Sequence, residues 1–253
     1  MNSPLPRLRW LGHATALIED RGTRVLTDPV LTSRLVHLRR RRGENPSGPG
    51  VFDPDVVVLS HLHADHTHLP SLRLVREQVP IVVPRGAPDA LTSLRRLGNE
   101  LIEVSPGDEV RPGQVTIRAV PADHDGRRWR RGDHTTPALG YVVTGDATTY
   151  FAGDTDVYAD LHDWVRDVDL ALLPVAGWGP TLGEGHMNPE RATVAAEVVR
   201  ARRSVPIHFG TLWPIGLSRV RPERFSSPGA QFVELARRNG IEAVELQPGE
   251  QLS

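Results

Sequence analysis

The stretch Ser60-His61-Leu62-His63-Ala64-Asp65-His66 follows directly after the apolar run Val56–Leu59 and decides which fold and function we predict. An uninterrupted apolar run of this length is typical of a strand that is buried on both faces. The first two histidines of the stretch point to the same side of an extended chain, so they can bind one ion. The aspartate and the last histidine follow where the chain turns away, and they can bind a second ion. Imidazole and carboxylate groups suit zinc, iron or manganese, so the stretch predicts a metal site.

Three more residues of ligand type occur at the ends of other predicted strands, and they are His124, Asp154 and His208. Polar groups at the ends of neighbouring strands can converge at one edge of a sheet. Burying four polar side chains at the mouth of an apolar strand is costly unless they bind something. We therefore expect all of these residues to contribute to one metal cluster.

Short apolar runs alternate with helical patterns from one end of the chain to the other. Asn188 fits an N-cap with a proline after it, which predicts a helix over Pro189–Ala201. Further helices are predicted over Asp89–Leu97 and Gly229–Asn239, and a last strand over Ala243–Leu246. Strands interleaved with helices in this way predict one α/β or α+β domain spanning residues 1–253.

Two arginine-rich segments interrupt this pattern. His37–Arg42 runs into the Gly- and Pro-rich Gly43–Gly50, and together they predict a mobile loop. In Gly126–Pro137, Arg127, Arg128 or Arg130 could contact a phosphate group. The first segment could be an anion-attracting flap beside an active site, although solvated arginines are favoured there, and in the second segment solvation is an equal alternative.

Composition excludes several kinds of site. The sequence has no cysteine and no lysine, which excludes disulfides, thiolate metal sites, Cys nucleophiles, Schiff-base lysines and P-loop lysines. The formal net charge of -1 and the 5% of aromatic residues do not favour nucleic acid as a partner. The longest apolar runs are too short to span a bilayer, and Met1–Trp10 lacks the apolar core of a signal peptide. We expect a cytoplasmic protein without stable membrane insertion.

The motifs and their order resemble the metallo-β-lactamase superfamily. The resemblance is closest to the branch that contains N-acyl-phosphatidylethanolamine-hydrolysing phospholipase D and ascorbate-6-phosphate lactonase-like proteins. It covers nearly the whole chain and rests on the stretches Trp10–Thr15, Thr27–Pro29, His61–His66, Pro121–His124, Phe151–Thr155, His186–Glu190 and Pro206–Thr211. It implies a four-layer αββα sandwich, with two β-sheets face to face and the metal site at one edge.

The resemblance also implies how the ligands are divided. It implies two divalent ions, with zinc expected and manganese or iron as alternatives. It assigns the first ion to His61, His63 and His124, the second to Asp65, His66 and His208, and the bridging position to Asp154. For His186 it implies a place beside the substrate, which we weigh equally against an ordinary loop residue. His13 and Asp28 are expected to support ligands rather than to bind metal.

A dinuclear site of this kind predicts a hydrolase. Metal binding lowers the pKa of water from about 15.7 to around 7, so a hydroxide could attack phosphorus or a carbonyl carbon. Asp65 or a metal-bound water could then handle the proton of the leaving group. We expect a small anionic substrate, either a phosphodiester cleaved as by a phospholipase D or another phosphorylated molecule. A lactonase and a non-catalytic metal-binding protein remain alternatives, and a homo-oligomer stays open.

Overall fold

The computed structural model of this protein describes residues 4–128 and 135–252. The strands of the described residues are β1 Arg7–Gly12, β2 Thr15–Asp20, β3 Thr23–Thr27, β4 Arg34–Leu35, β5 Leu38–Arg40, β6 Val56–Val58, β7 Ile81–Pro84, β8 Leu101–Val104, β9 Glu109–Val110, β10 Thr116–Pro121, β11 Leu139–Thr144, β12 Thr148–Phe151, β13 Leu170–Pro174, β14 Arg203–Ile207, β15 Leu212–Pro214 and β16 Glu242–Ala243. The helices are α1 Leu69–Leu72, α2 Ala87–Ala90, α3 Leu161–Trp164, α4 Pro189–Val198, α5 Glu223–Ser226 and α6 Pro228–Arg238, with one 3₁₀ turn at Leu94–Arg96.

Two large sheets form the centre of the molecule. The first has the order β1-β2-β3-β6-β7-β8, with the first three strands antiparallel and β3 to β8 parallel. The second has the order β16-β14-β13-β12-β11-β10-β9, which is parallel from β16 to β12 and antiparallel from there on. A small sheet, β15-β5-β4, lies beside them.

The side chains are buried in four layers. Between the two large sheets, residues such as Trp10 and Ile18 of the first pack in one cluster with Tyr141 and Phe151 of the second. The same cluster includes the inner faces of α4 and α6, which cover the second sheet. A separate cluster joins the other face of the first sheet to α1 and the 3₁₀ turn. These layers confirm the predicted αββα sandwich.

The two long helices match their predictions closely. The Asn188 side chain accepts a hydrogen bond from the backbone N–H of Arg191, as an N-cap residue does. Helix α4 ends at Val198 rather than at Ala201, and α6 begins and ends one residue before the predicted bounds. The last strand is shorter than predicted, because only Glu242–Ala243 pairs with β14.

Two local predictions were wrong. The helix predicted over Asp89–Leu97 is interrupted, because Leu91 leaves the helical conformation (φ -135°, ψ 79°) between α2 and the 3₁₀ turn. The predicted loop at His37–Arg42 is partly a strand, since β5 pairs with β15. The guanidinium of Arg40 is buried and donates hydrogen bonds to the carbonyls of Leu11 and Val30. Tertiary hydrogen bonds, which a local pattern does not reveal, place this arginine inside the protein.

The sheet topology brings the predicted ligands to one edge. The metal-type stretch begins two residues after β6, and Asp154 and His208 follow the ends of β12 and β14. His124 follows β10, which runs in the same direction as β12 because each is antiparallel to β11. No helix among the described residues is both long and apolar enough to cross a bilayer.

Candidate metal centre

Three ring nitrogens converge at the start of the site. The Nδ1 atom of His63 lies 2.9 Å from Nε2 of His61 and 3.1 Å from Nε2 of His124. His61 is fully buried, whereas His63 and His124 are partly exposed. This three-imidazole group, which we call the first group, fits the ligand set of a divalent transition-metal ion.

A second group lies beside the first. The Nε2 atoms of His66 and His208 are 3.1 Å apart, and Oδ2 of Asp65 lies 3.5 Å from each of them. We call these three residues the second group. The ring of His13 lies next to them, and its Nε2 atom is 2.9 Å from the same carboxylate oxygen. All four side chains are almost completely buried.

Asp154 lies between the two groups. Its Oδ2 atom is 3.1 Å from Nε2 of His66 and 3.3 Å from Nε2 of His186, and its Oδ1 atom is 3.2 Å from Nε2 of His208. One of its carboxylate oxygens also lies within 4.8 Å of a ring nitrogen of His61, and one lies within 4.8 Å of a ring nitrogen of His124. Its Oδ1 atom is buried and makes no hydrogen bond within the described part of the chain. A buried carboxylate oxygen without a donor is costly, and a cation would stabilise it.

Hydrogen bonds on the far side of the rings fix which nitrogen carries a lone pair. The Nδ1 atom of His124 donates to the carbonyl of Gly185 over 2.9 Å, and Nδ1 of His208 donates to the carbonyl of Ala176 over 2.8 Å. A carbonyl oxygen only accepts, so in the neutral form of each ring the lone pair is on Nε2, which points into the cluster. Such an arrangement prepares imidazoles to bind a metal ion.

Asp28 and Ser60 orient two more rings. Asp28 accepts a hydrogen bond from Nδ1 of His66 over 2.6 Å and from the hydroxyl of Ser60 over 2.5 Å. Nδ1 of His61 lies 3.0 Å from the same hydroxyl and donates to it. The backbone conformation is strained at Asp28 (φ 33°) and again at His208 (φ 61°). Non-glycine residues in the left-handed region are uncommon and concentrate at functional sites.

The electrostatics favour a cation. Burial lowers the pKa of His61 well below its usual value and that of His124 to about 4, so both rings are neutral near pH 7. Burial alone would raise the pKa of Asp154, but the charges of His208 and His66 lower it well below its usual value. Burial also opposes protonation of His66, yet the surrounding carboxylates, Asp154 first, raise the pKa of this ring well above its ordinary value. His61 and His124 are thus in the neutral state that binds metal ions, whereas an ion bound by His66 would displace the proton that the carboxylates stabilise on its ring.

His186 lies at the partly exposed rim of the cluster. Its ring contacts Asp154, and its side chain is 19% exposed against 2% for the aspartate. Burial opposes protonation, but the hydrogen bond to Asp154 outweighs it and raises the pKa of His186 to about 9. The structure thus brings all the predicted ligands and His186 together.

The predicted phosphate-binding arginines have other contacts. Arg127 pairs with Asp125 over 2.8 Å, and Arg128 donates to the carbonyls of Leu62 and Thr67, both over 2.9 Å. Arg130 lies outside the described residues. Sequence reasoning gave no role to Ser60, although its place between the strand and the first histidine was a signal.

Comparisons with known proteins show the family of this chain. Residues 23–209 match the family model described as the beta-lactamase superfamily domain. The chain belongs to the metallo-β-lactamase superfamily. It is 30% identical over 250 residues to a metal-dependent hydrolase of Thermus thermophilus, covering 97% of both chains. It is also 30% identical over 249 residues to N-acyl-phosphatidylethanolamine-hydrolyzing phospholipase D 1 of Caenorhabditis elegans, covering 89% of this chain and 68% of that one.

The solved structures support the same fold. A metallo hydrolase of Ignicoccus hospitalis superposes with a TM-score of 0.71 at 22% identity, over 98% of this chain and 97% of that one. The predicted superfamily and its sandwich are therefore confirmed. The His and Asp cluster, together with these relatives, places the protein among the metal-binding hydrolases of the superfamily.

Proposed function

We propose that the protein is a hydrolase with two divalent metal ions that cleaves a phosphodiester or another phosphorylated small molecule. The first group would hold one ion, and Asp65, His66 and His208 would hold the other. Zinc is the expected metal, since imidazole and carboxylate ligands suit it well; manganese and iron suit the same ligands.

The position of Asp154 carries this proposal. Its two carboxylate oxygens face different histidines, and one of them lacks a hydrogen-bond donor. One carboxylate placed between two sets of imidazole lone pairs fits a pair of ions better than a single ion. Asp28, Asp65 and Asp154 are all buried at this cluster, and bound cations would stabilise their negative charges.

The site residues have different roles in the proposed reaction. When bound, the ions would activate a water molecule and stabilise negative charge that develops on the substrate. Asp65 is enclosed by His13, His66 and His208, so we assign it to metal binding, and its part in handling the proton of the leaving group stays a prediction. His186 is the partly exposed group, and we assign it to contact the substrate and to protonate the leaving group.

The proposed substrate class rests on two observations. The relative from Caenorhabditis elegans is named for the hydrolysis of a phospholipid at a phosphodiester bond. In this chain, helix α4 begins at Pro189, three residues after His186, and its N-terminus favours negative charge nearby. An anionic substrate would therefore be attracted from the side on which His186 lies.

A hydrolysis screen with defined metal content tests the proposal. Protein stripped with a chelator and reloaded with zinc or manganese is assayed with bis(4-nitrophenyl) phosphate, a phosphomonoester, a lactone and vesicles of N-acyl-phosphatidylethanolamine. We expect turnover of a phosphodiester that needs two ions per chain and is lost on chelation. Turnover of the lactone alone would show that the substrate is a lactone and not a phosphorylated molecule. Two bound ions without turnover of any ester would favour a non-catalytic role.

A further inference from the structure

His13 lies behind the second group, in the turn between β1 and β2. We propose that His13 is a positioning residue, which holds Asp65 and His208 in place as ligands of the second ion. This inference rests on the proposed function, because it assumes that the second group binds an ion. In this role His13 connects ligands that come from the two different sheets of the sandwich.

The side chain of His13 contacts both ligands. Its Nε2 atom lies 2.9 Å from Oδ2 of Asp65, within hydrogen-bond distance. Its ring centroid lies 4.0 Å from that of His208, with 37° between the two planes. With only 1% of His13 exposed, the ring cannot turn away without disturbing its neighbours. A donor fixed in this way holds the carboxylate in one orientation.

The main chain of His13 adds a second connection. Its carbonyl accepts a hydrogen bond from the backbone N–H of His208 over 3.0 Å and from the indole N–H of Trp10 over 2.9 Å. Its own N–H donates to the hydroxyl of Thr211 over 2.8 Å. His208 and Thr211 follow β14 of the second sheet, whereas Trp10 lies in β1 of the first. One residue thus joins the two sheets at the metal edge.

The backbone of His13 has a conformation that favours glycine. Its φ of 56° lies in the left-handed region, which costs energy for every residue except glycine. Glycine already occupies the preceding position with a φ of 102°. Replacement of His13 by glycine would therefore relieve this backbone strain while it removes the ring.

A direct ligand role for His13 fits the geometry less well. The nitrogen that faces the cluster is the one within hydrogen-bond distance of Asp65. Asp65 Oδ2 is in turn the oxygen that faces both His66 and His208. His13 would therefore act through the carboxylate, and it would be one step away from the ion.

Metal titration of side-chain variants tests the inference. His13→Gln keeps an N–H donor near the Nε2 position, whereas His13→Leu removes it at similar volume. His68→Leu is the matched control, because His68 is also buried but bonds to Ser71 instead of a ligand. Zinc affinity is measured by competition with a chromophoric chelator, and the cobalt(II) form reports the ligand set by its visible spectrum. Circular dichroism and thermal unfolding check that each variant is folded.

We expect His13→Leu to lower the affinity for the second ion by about 10–100-fold and to leave the affinity for the first ion unchanged. His13→Gln should restore most of that affinity, with the cobalt spectrum of the wild type. If His13→Leu does not fold, His13→Gly, which relieves the strained φ, should fold and show the same selective loss.

Two ions bound with wild-type affinity by a folded His13→Leu or His13→Gly would overturn the inference while leaving the proposed function intact. Equal losses of affinity for the second ion in His13→Gln and His13→Leu, with an altered cobalt spectrum, would also overturn it, because they would show that His13 is a direct ligand. A wild type that binds one ion would overturn the proposed dinuclear function itself, and this inference with it.

Discussion

Replacing Asp28 by asparagine should weaken metal binding although Asp28 contacts no ion site directly. In the wild type, Oδ2 of Asp28 accepts hydrogen bonds from His66 and from the hydroxyl of Ser60, and Oδ1 accepts the backbone N–H of Ser60. Asparagine can keep the bond to the backbone N–H. Its amide NH₂ group cannot accept the other two bonds, and the negative charge beside the His66 ring is lost.

The expected magnitude follows from these contacts. Loss of an outer partner of a metal-binding histidine lowers affinity by about 10–100-fold, which is about 1.4–2.7 kcal/mol. Asp28 is completely buried, so water cannot replace the missing acceptor, and we expect the upper half of this range. The loss should concern the ion to which we assign His66 as a ligand. The first group should change less, because Asp28 reaches His61 only through the hydroxyl of Ser60.

Zinc affinity is measured by competition with a chelator, and the bound zinc is determined by atomic absorption or with a chromophoric indicator. Asp20→Asn is the matched control: Asp20 is also a buried aspartate, but it accepts the backbone N–H groups of Asp146 and Ala147, away from the metal site. It should lower thermal stability without changing metal affinity. Unchanged affinity in Asp28→Asn, or an equal loss in Asp20→Asn, would refute the reasoning.

The other predictions concern the ligands and the rim. Asp154→Asn removes the charge between the two groups, so metal content should fall towards one ion per chain and activity by at least about 10-fold; full activity with two ions would contradict the bridging position. His186→Ala should lower kcat while both ions stay bound, as elemental analysis beside steady-state kinetics would reveal. Arg128→Ala should lower metal affinity, because the carbonyls of Leu62 and Thr67 lose their donor; a change confined to KM would instead indicate substrate contact.

Local sequence was sufficient to place the histidine-rich stretch and the start of α4. The histidine-rich stretch follows a buried strand as predicted, and Asn188 caps α4 as its side chain suggests. Both features depend on residues that are close in the chain, and each has a chemical signature in the sequence. The overall sandwich required the resemblance to a known superfamily, because sheet order involves pairings such as β3 with β6 that no local pattern specifies.

Other features depended on contacts that local sequence does not reveal. The carbonyls of Gly185 and Ala176 orient His124 and His208, but every residue has a carbonyl, so nothing marks these two. Arg40 belongs to a run of four arginines and differs from its neighbours only through its buried carbonyl partners. Tertiary structure, not residue type, distinguishes such groups.

The division of the ligands between the two sheets connects metal binding with the fold. Asp65 and His66 follow a strand of the first sheet, whereas Asp154 and His208 follow strands of the second. Three aspartates are buried here, Asp28 among them, and their ion-pair partners within the described residues are imidazoles. Without a metal ion, only protons on these imidazoles would offset the repulsion between carboxylates that come from the two sheets. Bound ions would replace that repulsion by attraction, so the residues that serve chemistry would also hold this edge of the sandwich closed.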